Sequence, residues 1–230
     1  MSGRTKGDDT RARILSAALD CFRGKGFDET TMRDVAARAG MALGAAYYYF
    51  PSKDAIVLAF YKQAQEDLAP RMAEVLASTK DLRERLKQVV LLKLEYFSES
   101  RRLLGALAAH TDPAHALSPF GEESREVRER DITFFEKALQ GQTVKKDLAL
   151  RLPGMLWMYQ MGIILFWIYD HSADQRRTHL VLEKSLNLIY RLLQVSGLPL
   201  MSPMRKLILE VVDAVTAEEP KRKTATDPHG

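Results

Sequence analysis

Two cationic side chains, Arg33 and Lys53, occupy positions from which they could bind an anion. Lys53 follows Pro51 and Ser52, a proline and a capping residue that favour a helix start at this point. A cation at the positive end of a helix is electrostatically disfavoured unless an anion lies nearby, and a nucleic-acid phosphate is such an anion. The planar guanidinium of Arg33 can donate to two acceptors on guanine at once. Both residues therefore suggest nucleic-acid chemistry.

The residues between these cations predict two short helices joined by a sharp turn. Thr30 or Thr31 can cap the first helix, and Gly40 can end it, because a residue without a Cβ lets the chain turn away. The apolar positions at helical spacing are Met32, Val35, Ala36 and Ala39 in the first helix, and Ala46, Tyr49 and Phe50 in the second. This pattern favours a helix-turn-helix, which lays its second helix in the major groove of DNA.

The same stretch resembles the TetR-type transcriptional regulators. The family pattern is an amphipathic helix ending in Phe and Gly, then a Thr, a Val-Ala pair, Ala-Gly, a Gly in the recognition helix, Tyr-x-Tyr-Phe and a Lys. This chain supplies Phe22, Gly26, Phe27, Thr31, Val35, Ala36, Ala39, Gly40, Gly44, Tyr47, Tyr49, Phe50 and Lys53. Many positions agree at fixed spacing over the first quarter of the chain, which makes the resemblance specific. Beyond residue 60 the resemblance is architectural only.

The resemblance assigns DNA-contacting side chains to the two short helices. It implies that Tyr47 and Lys53 bind phosphates and that Thr31 lies at the DNA backbone. It also implies that Arg33 reaches a base or a phosphate. The predicted DNA-binding residues are Thr31, Arg33, Leu43, Gly44, Ala45, Tyr47, Tyr48 and Lys53.

Three positions in or beside the second helix depart from the family pattern. Ala42 stands where the family often has a Ser or Thr cap, which costs the helix about 1 kcal/mol of capping. Leu43 and Ala45 replace residues that are commonly polar, so fewer side chains can hydrogen-bond base edges. With Tyr48 they could instead contact bases through apolar groups, for example a thymine methyl.

Composition bounds the class of protein. With 230 residues and 46% hydrophobic content, the chain can bury a substantial core. The one cysteine, Cys21, fits a reducing compartment, and the chain opens without a secretory signal pattern, so we expect a cytoplasmic protein. The net charge of +4 permits nucleic-acid binding without requiring it.

Helical periodicity covers most of the chain, and no segment alternates convincingly like a strand. We therefore predict an all-α protein with an N-terminal three-helix helix-turn-helix DNA-binding domain and a larger helical ligand-binding and dimerisation domain. The predicted ranges are 1–53 for the first domain, 54–216 for the second and 217–230 for a disordered tail. Helices are predicted near residues 10–24, 31–39, 43–49, 52–78, 82–98, 101–110, 120–140, 144–169, 173–195 and 203–216.

Residues 152–169 form an uncharged apolar run. A helix that is apolar on every face must be covered on every face, and this run just reaches the length of a marginal membrane span. Gln160 in its middle, two glycines and the amphipathic helices around it favour a buried core helix instead. No membrane partner is therefore predicted.

Residues 173–195 carry a wide leucine stripe that suits burial on two sides. The stripe consists of Leu182, Leu186, Ile189 and Leu193, with Leu188 and Leu192 beside it. Together with residues 152–169 it could form a four-helix bundle with a second copy, where the resemblance also places the contact of a homodimer. A two-fold dimer presents two recognition helices to successive major grooves, about 34 Å apart.

The resemblance further implies a repressor that a small-molecule effector releases from its operator by tilting the long helix that starts at Ser52. The predicted ligand-binding residues are Tyr96, Phe97, His110, Phe134, Trp157, Gln160 and Met161. Because most of them are aromatic or apolar, we expect a mainly apolar effector. The alternative that each simply fills the core stays open.

A metal-dependent enzyme is the competing hypothesis. His110, Asp112 and His115 lie close together on a proline-containing loop and could bind a metal or share a proton. Nothing else completes a site, since the sequence has no phosphate-binding glycine loop, no helical His pair with a glutamate and no nucleophile elbow. We predict no enzymatic activity, no metal site and no cofactor.

Overall fold

The computed structural model describes residues 6–109, 112, 114–196 and 198–216. Within these ranges the chain consists of α-helices and three short 3-10 turns, and it contains no strand. The helices are α1 (Lys6–Gly24), α2 (Met32–Arg38), α3 (Leu43–Tyr49), α4 (Lys53–Ser78), α5 (Leu82–Tyr96), α6 (Arg101–Leu107), α7 (Arg125–Leu139), α8 (Lys146–Ala149), α9 (Leu152–Tyr169), α10 (Arg176–Val195) and α11 (Ser202–Thr216). The predicted all-α class is confirmed, and the predicted tail at residues 217–230 lies outside the described residues.

Helices α1 to α3, which we call the head, pack around their own apolar core. Ile14 and Phe22 of α1 are buried, and the Phe22 ring meets the Phe27 ring edge-on at a centroid separation of 5.2 Å. Val35 of α2 and Ala46 of α3 are fully buried, and α2 packs against both α1 and α3. The small side chains let the two short helices approach closely.

Helix α4 joins the head to the remaining helices, α5 to α11, which we call the body. It begins where predicted, because the Ser52 hydroxyl oxygen accepts a hydrogen bond from the Ala55 backbone at 3.1 Å. Its 26 residues pack against α1, α5 and α7, and buried positions recur along it from Ile56 to Leu76. One continuous helix therefore touches both parts of the molecule.

Helix α9 is the core helix of the body. It packs against α5, α6, α7, α8 and α10, and it buries Leu156, Trp157, Ile163 and Trp167. Among the described residues it is the one helix that is long and apolar enough to cross a membrane by length and composition. Its contacts with five other helices are those expected of a core helix.

The segment predicted as one helix over residues 144–169 is instead two helices, α8 and α9. Arg151 precedes α9, and Pro153 lies in its first turn. Proline is favoured there because its missing N–H would have no helical partner, and the same ring excludes an uninterrupted helix through Leu150. Helix α7 also begins later than predicted, at Arg125, because turns closed by hydrogen bonds to the Ser118 carbonyl occupy the preceding residues.

The body leaves many large apolar side chains exposed on α9, α10 and α11. Helix α10 buries Leu182 and Leu186 on one side, while Leu188 and Leu192 on another side are 59% and 45% exposed. Helix α11 is attached by ion pairs, with Arg151 on Asp213 at 2.5 Å and a second pair between Arg205 and Asp147 at 2.6 Å. We call the exposed set the outer apolar face: Leu165, Phe166, Tyr169, Leu180, Leu188, Leu192, Val195, Met204, Leu207, Ile208 and Val211.

Candidate nucleic-acid interface and buried cavity

A capping box fixes the start of α2. The Thr31 hydroxyl oxygen accepts from the Asp34 backbone N–H at 3.2 Å, and the Asp34 carboxylate accepts from the Thr31 backbone N–H at 2.8 Å. Lys25 donates to the same carboxylate at 2.9 Å. The hydrogen bond from Lys25 and those from Thr31 hold the pKa of Asp34 well below its usual range. The exposed Thr31 side chain is therefore held in one orientation.

The turn between α2 and α3 depends on Gly40, whose φ of 65° lies in the left-handed region. The Met41 backbone N–H donates to the Ala36 carbonyl at 3.0 Å across this turn. An ion pair between Arg38 and Asp20 at 2.9 Å also ties α2 to α1. Helix α3 has no side-chain cap at Ala42, as the sequence predicts, so its orientation depends on packing of Ala46 and Phe50.

The face of α2 and α3 that lies away from the head core carries the predicted DNA-binding side chains. Tyr47 is 48% exposed and Tyr48 is 82% exposed, which is uncommon for large aromatic residues. Arg33 is also exposed, and it forms no hydrogen bond or ion pair with any residue that the structure describes. The others on this face are the exposed Thr31, Gly44 and Ala45 and the half-buried Leu43.

Lys53 has protein partners that the sequence argument did not anticipate. Its ammonium group donates to the Phe27 carbonyl at 2.7 Å and to the Asp28 carbonyl at 3.2 Å. The same nitrogen lies 4.6 Å from the centroid of the Phe27 ring. Two carbonyl dipoles and an aromatic face stabilise this cation at the start of α4, so an anion is not needed to explain its position. Lys53 thus connects α4 to the turn between α1 and α2.

Arg11 is a second positioning residue, which sequence reasoning missed. Its guanidinium donates to the Tyr49 carbonyl at 3.1 Å and lies 4.3 Å from the centroid of the Phe50 ring. It therefore holds the carboxyl end of α3 against α1. Cationic side chains often bind the last carbonyls of a helix. The sequence could not show this for Arg11, because Arg11 and Tyr49 lie 38 positions apart.

A cavity of about 340 Å³ lies in the body between α4, α5, α6, α7 and α9. Most of its lining is apolar, and it includes Phe97, Trp157 and Met161 from the predicted ligand-binding set. The lining also includes five side chains with polar groups, which are Tyr61, Gln65, Lys93, Arg128 and Asp131. A concave, mainly apolar space with a few polar groups is the usual form of a small-molecule site.

Three residues of the predicted ligand-binding set lie elsewhere. Tyr96 donates from its hydroxyl to Asp67 at 2.7 Å, and burial together with this carboxylate raises the pKa of Tyr96. Phe134 is buried in the core of the body, and Gln160 is buried with neither amide atom hydrogen-bonded in the described part of the chain. Neighbouring positions on one helix face different sides, so composition alone could not separate Tyr96 from Phe97. His110 lies outside the described residues.

The cavity contains a buried polar cluster of Gln65, Lys93 and Asp131. The Lys93 ammonium group and the Gln65 amide Nε2 both donate to Asp131 Oδ1, the latter at 2.5 Å. All three side chains are less than one-tenth exposed. The sequence offered a weak signal, since Lys93 interrupts an apolar run on α5, but its partner lies on α7.

The loop residues of the enzyme hypothesis have local structural roles. Asp112 accepts from the Ala114 backbone at 2.9 Å, and the His115 ring nitrogen Nδ1 accepts from the Leu117 backbone at 3.1 Å. Both hydrogen bonds span two residues and close local turns, and Asp side chains commonly do this. No group of three metal-ligating side chains occurs within the described residues.

A head with a helix-turn-helix and an exposed second helix, joined by one long helix to a body with a cavity, is the arrangement of a class of proteins, the DNA-binding transcriptional regulators. Residues 14–60 match the family model described as "Bacterial regulatory proteins, tetR family", and residues 85–213 match "Tetracyclin repressor-like, C-terminal domain". The second match covers more than half of the chain, and the chain belongs to the TetR family. Proteins of this family are transcriptional regulators, so the enzyme hypothesis based on His110, Asp112 and His115 is set aside.

Individual relatives resemble the body as well as the head. The transcriptional repressor KstR2 of Rhodococcus jostii is 27% identical over 148 residues, which cover 62% of this chain and 71% of that protein. The structure of Salmonella enterica GusR aligns with a TM-score of 0.62 at 21% identity, covering 83% of this chain and 98% of that one. Thermus thermophilus FadR, a repressor solved with lauroyl-CoA, aligns with a TM-score of 0.59 at 25% identity, covering 82% and 95%.

Proposed function

We propose that the protein is a dimeric, cytoplasmic repressor that a small, mainly apolar molecule releases from its operator. The observation that carries the DNA-binding part is the exposure of Arg33 on α2 and of Tyr47 and Tyr48 on α3. None of these side chains belongs to the buried core of the head. Exposed aromatic and cationic side chains suit a surface that binds the phosphates and bases of DNA.

The proposed contacts divide into those that position the head and those that read bases. Tyr47 offers a hydroxyl donor to phosphates. The Thr31 hydroxyl donates to the Asp34 carboxylate at 2.7 Å, and Lys53 donates to two carbonyls, so each contacts a phosphate only by exchanging a protein partner for it. Arg33 carries the base-reading role, since its guanidinium has no competing partner in the described chain. Tyr48, Leu43 and Ala45, with Gly44 allowing close approach, contribute apolar contact.

The outer apolar face supports the homodimer. Many large apolar side chains exposed on neighbouring helices such as α9 and α10 usually mark an interface. Leu188 and Leu192 on α10 and Phe166 on α9 would form the centre of a four-helix bundle with the partner's copies. Burial of α9 in this interface covers the side that one chain leaves open, which also supports a cytoplasmic rather than a membrane location.

The cavity supports the effector. Tyr61 and Gln65 of α4 line it, so a molecule that enters it pushes on the helix that starts at Lys53. A repressor releases DNA only if the effector binds the DNA-free geometry more tightly than the DNA-bound one. The apolar lining favours a mainly apolar molecule, and the lauroyl-CoA bound to the FadR neighbour carries an apolar chain of this kind.

Fluorescence anisotropy with duplex DNA from the promoter region of the protein's own gene tests the DNA-binding part. We expect Tyr47→Ala to weaken binding to all sequences similarly, and Arg33→Ala to reduce discrimination between operator and unrelated DNA. Lys137→Ala, which removes an exposed cation from α7 in the body, is the matched control and should bind normally. Wild-type affinity in both head variants would contradict the proposed interface.

A further inference from the structure

The buried polar cluster of Gln65, Lys93 and Asp131 leaves two acceptor atoms without a hydrogen bond. Asp131 Oδ1 accepts from both Lys93 and Gln65, but Asp131 Oδ2 accepts no hydrogen bond from any described residue. The Gln65 carbonyl oxygen Oε1 also lacks a partner in the described chain, and it is fully enclosed, whereas Asp131 Oδ2 is not. An unpartnered polar atom in a largely buried position costs free energy, so Asp131 Oδ2 is the acceptor that a group in the cavity can satisfy.

The chemistry of the cluster fixes which atom of Gln65 lacks a partner. An amide oxygen and nitrogen are often hard to distinguish, but the atom facing a carboxylate oxygen must be the nitrogen, since only the nitrogen can donate. The unpartnered atom of Gln65 is therefore an acceptor, as is Asp131 Oδ2. Both belong to side chains that line the cavity.

The charges of the lining limit what can satisfy these acceptors. Asp131 is neutralised by Lys93, and Arg128, whose guanidinium donates to the Pro119 and Gly121 carbonyls, adds a second cation. A cationic ligand would add a further positive charge to this lining. A carboxylate ligand has no proton to donate, and it would lie beside the carboxylate of Asp131. A neutral hydroxyl or N–H group meets both requirements.

We infer that the effector is a neutral, mainly apolar molecule with one hydroxyl or N–H group, which donates to Asp131 Oδ2. This inference rests on the proposed effector cavity and names the chemistry of its occupant. A cavity of about 340 Å³ accommodates a body of moderate size with one polar end. Asp131 Oδ2 acts as the specificity-determining acceptor, because an analogue without the donor leaves it unpaired.

Two isomeric probes test the inference, n-decanol and nonyl methyl ether. They have the same atoms, but only the alcohol has a hydroxyl donor, and the ether is the more hydrophobic of the two. Trp157 lines the cavity and reports binding through its fluorescence in a Trp167→Phe background, which leaves it as the single tryptophan. Decanoate provides the anionic comparison.

We expect the protein to bind n-decanol about fivefold to tenfold more tightly than the ether, the effect of one hydrogen bond to a buried acceptor. Asp131→Asn places an amide nitrogen at the Oδ2 position, so the preference should vanish or reverse. Gln65→Met removes the amide that donates to Asp131 Oδ1 and so changes how the carboxylate is held. It should also lower the ratio, which keeps the test open if Asp131→Asn fails to fold. Gln63→Met, the same change at an exposed position of α4, should keep the wild-type ratio.

The outcomes separate this inference from the proposed function. Equal affinity for the two isomers, tighter binding of decanoate, or a ratio unchanged in both Asp131→Asn and Gln65→Met would overturn the inference and leave the effector cavity in place. Failure of all three probes to bind would overturn the effector cavity and the inference together. The DNA-binding proposal is measured independently with the head variants.

Discussion

Replacing Lys53 with methionine keeps the apolar stem of the side chain and removes only its ammonium group. That group donates to the Phe27 carbonyl at 2.7 Å and the Asp28 carbonyl at 3.2 Å. A hydrogen bond from a charged donor contributes about 1.5–3 kcal/mol, and the half-exposed position of Lys53 places the shorter bond at the low end of that range. With a smaller contribution from the longer bond, the free energy of unfolding should fall by about 2 kcal/mol.

For a chain of this length, 2 kcal/mol corresponds to a decrease in melting temperature of about 4–8 °C. Thermal unfolding followed by circular dichroism measures it. Lys53→Arg is the control, because arginine keeps the charge and can still donate to the carbonyls, so its melting temperature should lie much closer to that of the wild type. An unchanged melting temperature in Lys53→Met would refute the conclusion that Lys53 holds the turn between α1 and α2.

DNA binding separates the bracing role of Lys53 from its proposed phosphate contact. If the ammonium group also neutralises a phosphate, the slope of the logarithm of the binding constant against the logarithm of salt concentration should decrease by about 0.9 in Lys53→Met. The comparison is made well below the melting temperature of the variant, so that both proteins are folded. An unchanged slope with lower stability would leave the bracing role intact and remove Lys53 from the phosphate-binding set.

Three further predictions concern other parts of the molecule. Asp34→Asn should lower the melting temperature at neutral pH, and the difference from the wild type should shrink as the pH falls below about 4. The reason is that the Asp34 carboxylate, whose pKa is lowered in the folded state, stabilises that state only while it is charged. An equal difference in melting temperature at every pH would contradict this. We expect the wild type to sediment as the proposed dimer in analytical ultracentrifugation and Leu188→Glu with Leu192→Glu to sediment as a folded monomer; a double variant that stays dimeric would exclude the outer apolar face as the contact. Met161→Trp should fill the cavity and abolish n-decanol binding while operator binding is kept, and unchanged n-decanol affinity would place the ligand elsewhere.

Helix starts and turns in the head were predictable from sequence because their causes act over a few residues. Thr31 caps a helix through Asp34, three positions away, and Gly40 takes the left-handed conformation that the turn requires. Ser52 caps the start of α4 by accepting a hydrogen bond from the Ala55 backbone, three positions away. Pro153 is a local signal for the break before α9, because proline is favoured in the first turn of a helix.

The buried polar cluster and the roles of Lys53 could not be predicted in this way. Lys93 and Asp131 lie 38 positions apart in sequence, and their pairing depends on how α5 and α7 pack in the body. Lys53 was interpreted from the helix that follows it, but its partners are carbonyls 25 and 26 positions earlier. Pairing of this kind is set by tertiary packing, for which a single sequence contains no periodic signal.

Helix α4 connects these two long-range features, and it gives the proposed release a mechanism that can be tested. Lys53 holds the turn of the head, and Gln65 lines the cavity on the same helix. Twelve residues of helix separate them by about 18 Å, so a tilt of about 5° at the cavity moves the Lys53 end by about 1.5 Å. Because Lys53 is hydrogen-bonded to the turn between α1 and α2, this displacement is passed to the head rather than absorbed at the helix end.

Coupling of this kind must be reciprocal. If a ligand in the cavity weakens operator binding by some factor, the operator must weaken ligand binding by the same factor, since both describe one free energy. The affinity of the protein for n-decanol, measured through Trp157 fluorescence, should therefore be lower with saturating operator duplex than with an unrelated duplex. Lys53→Met should reduce this difference in affinity, because it loosens the connection between α4 and the head. An n-decanol affinity that operator DNA leaves unchanged would show that the cavity and the head are not coupled through α4.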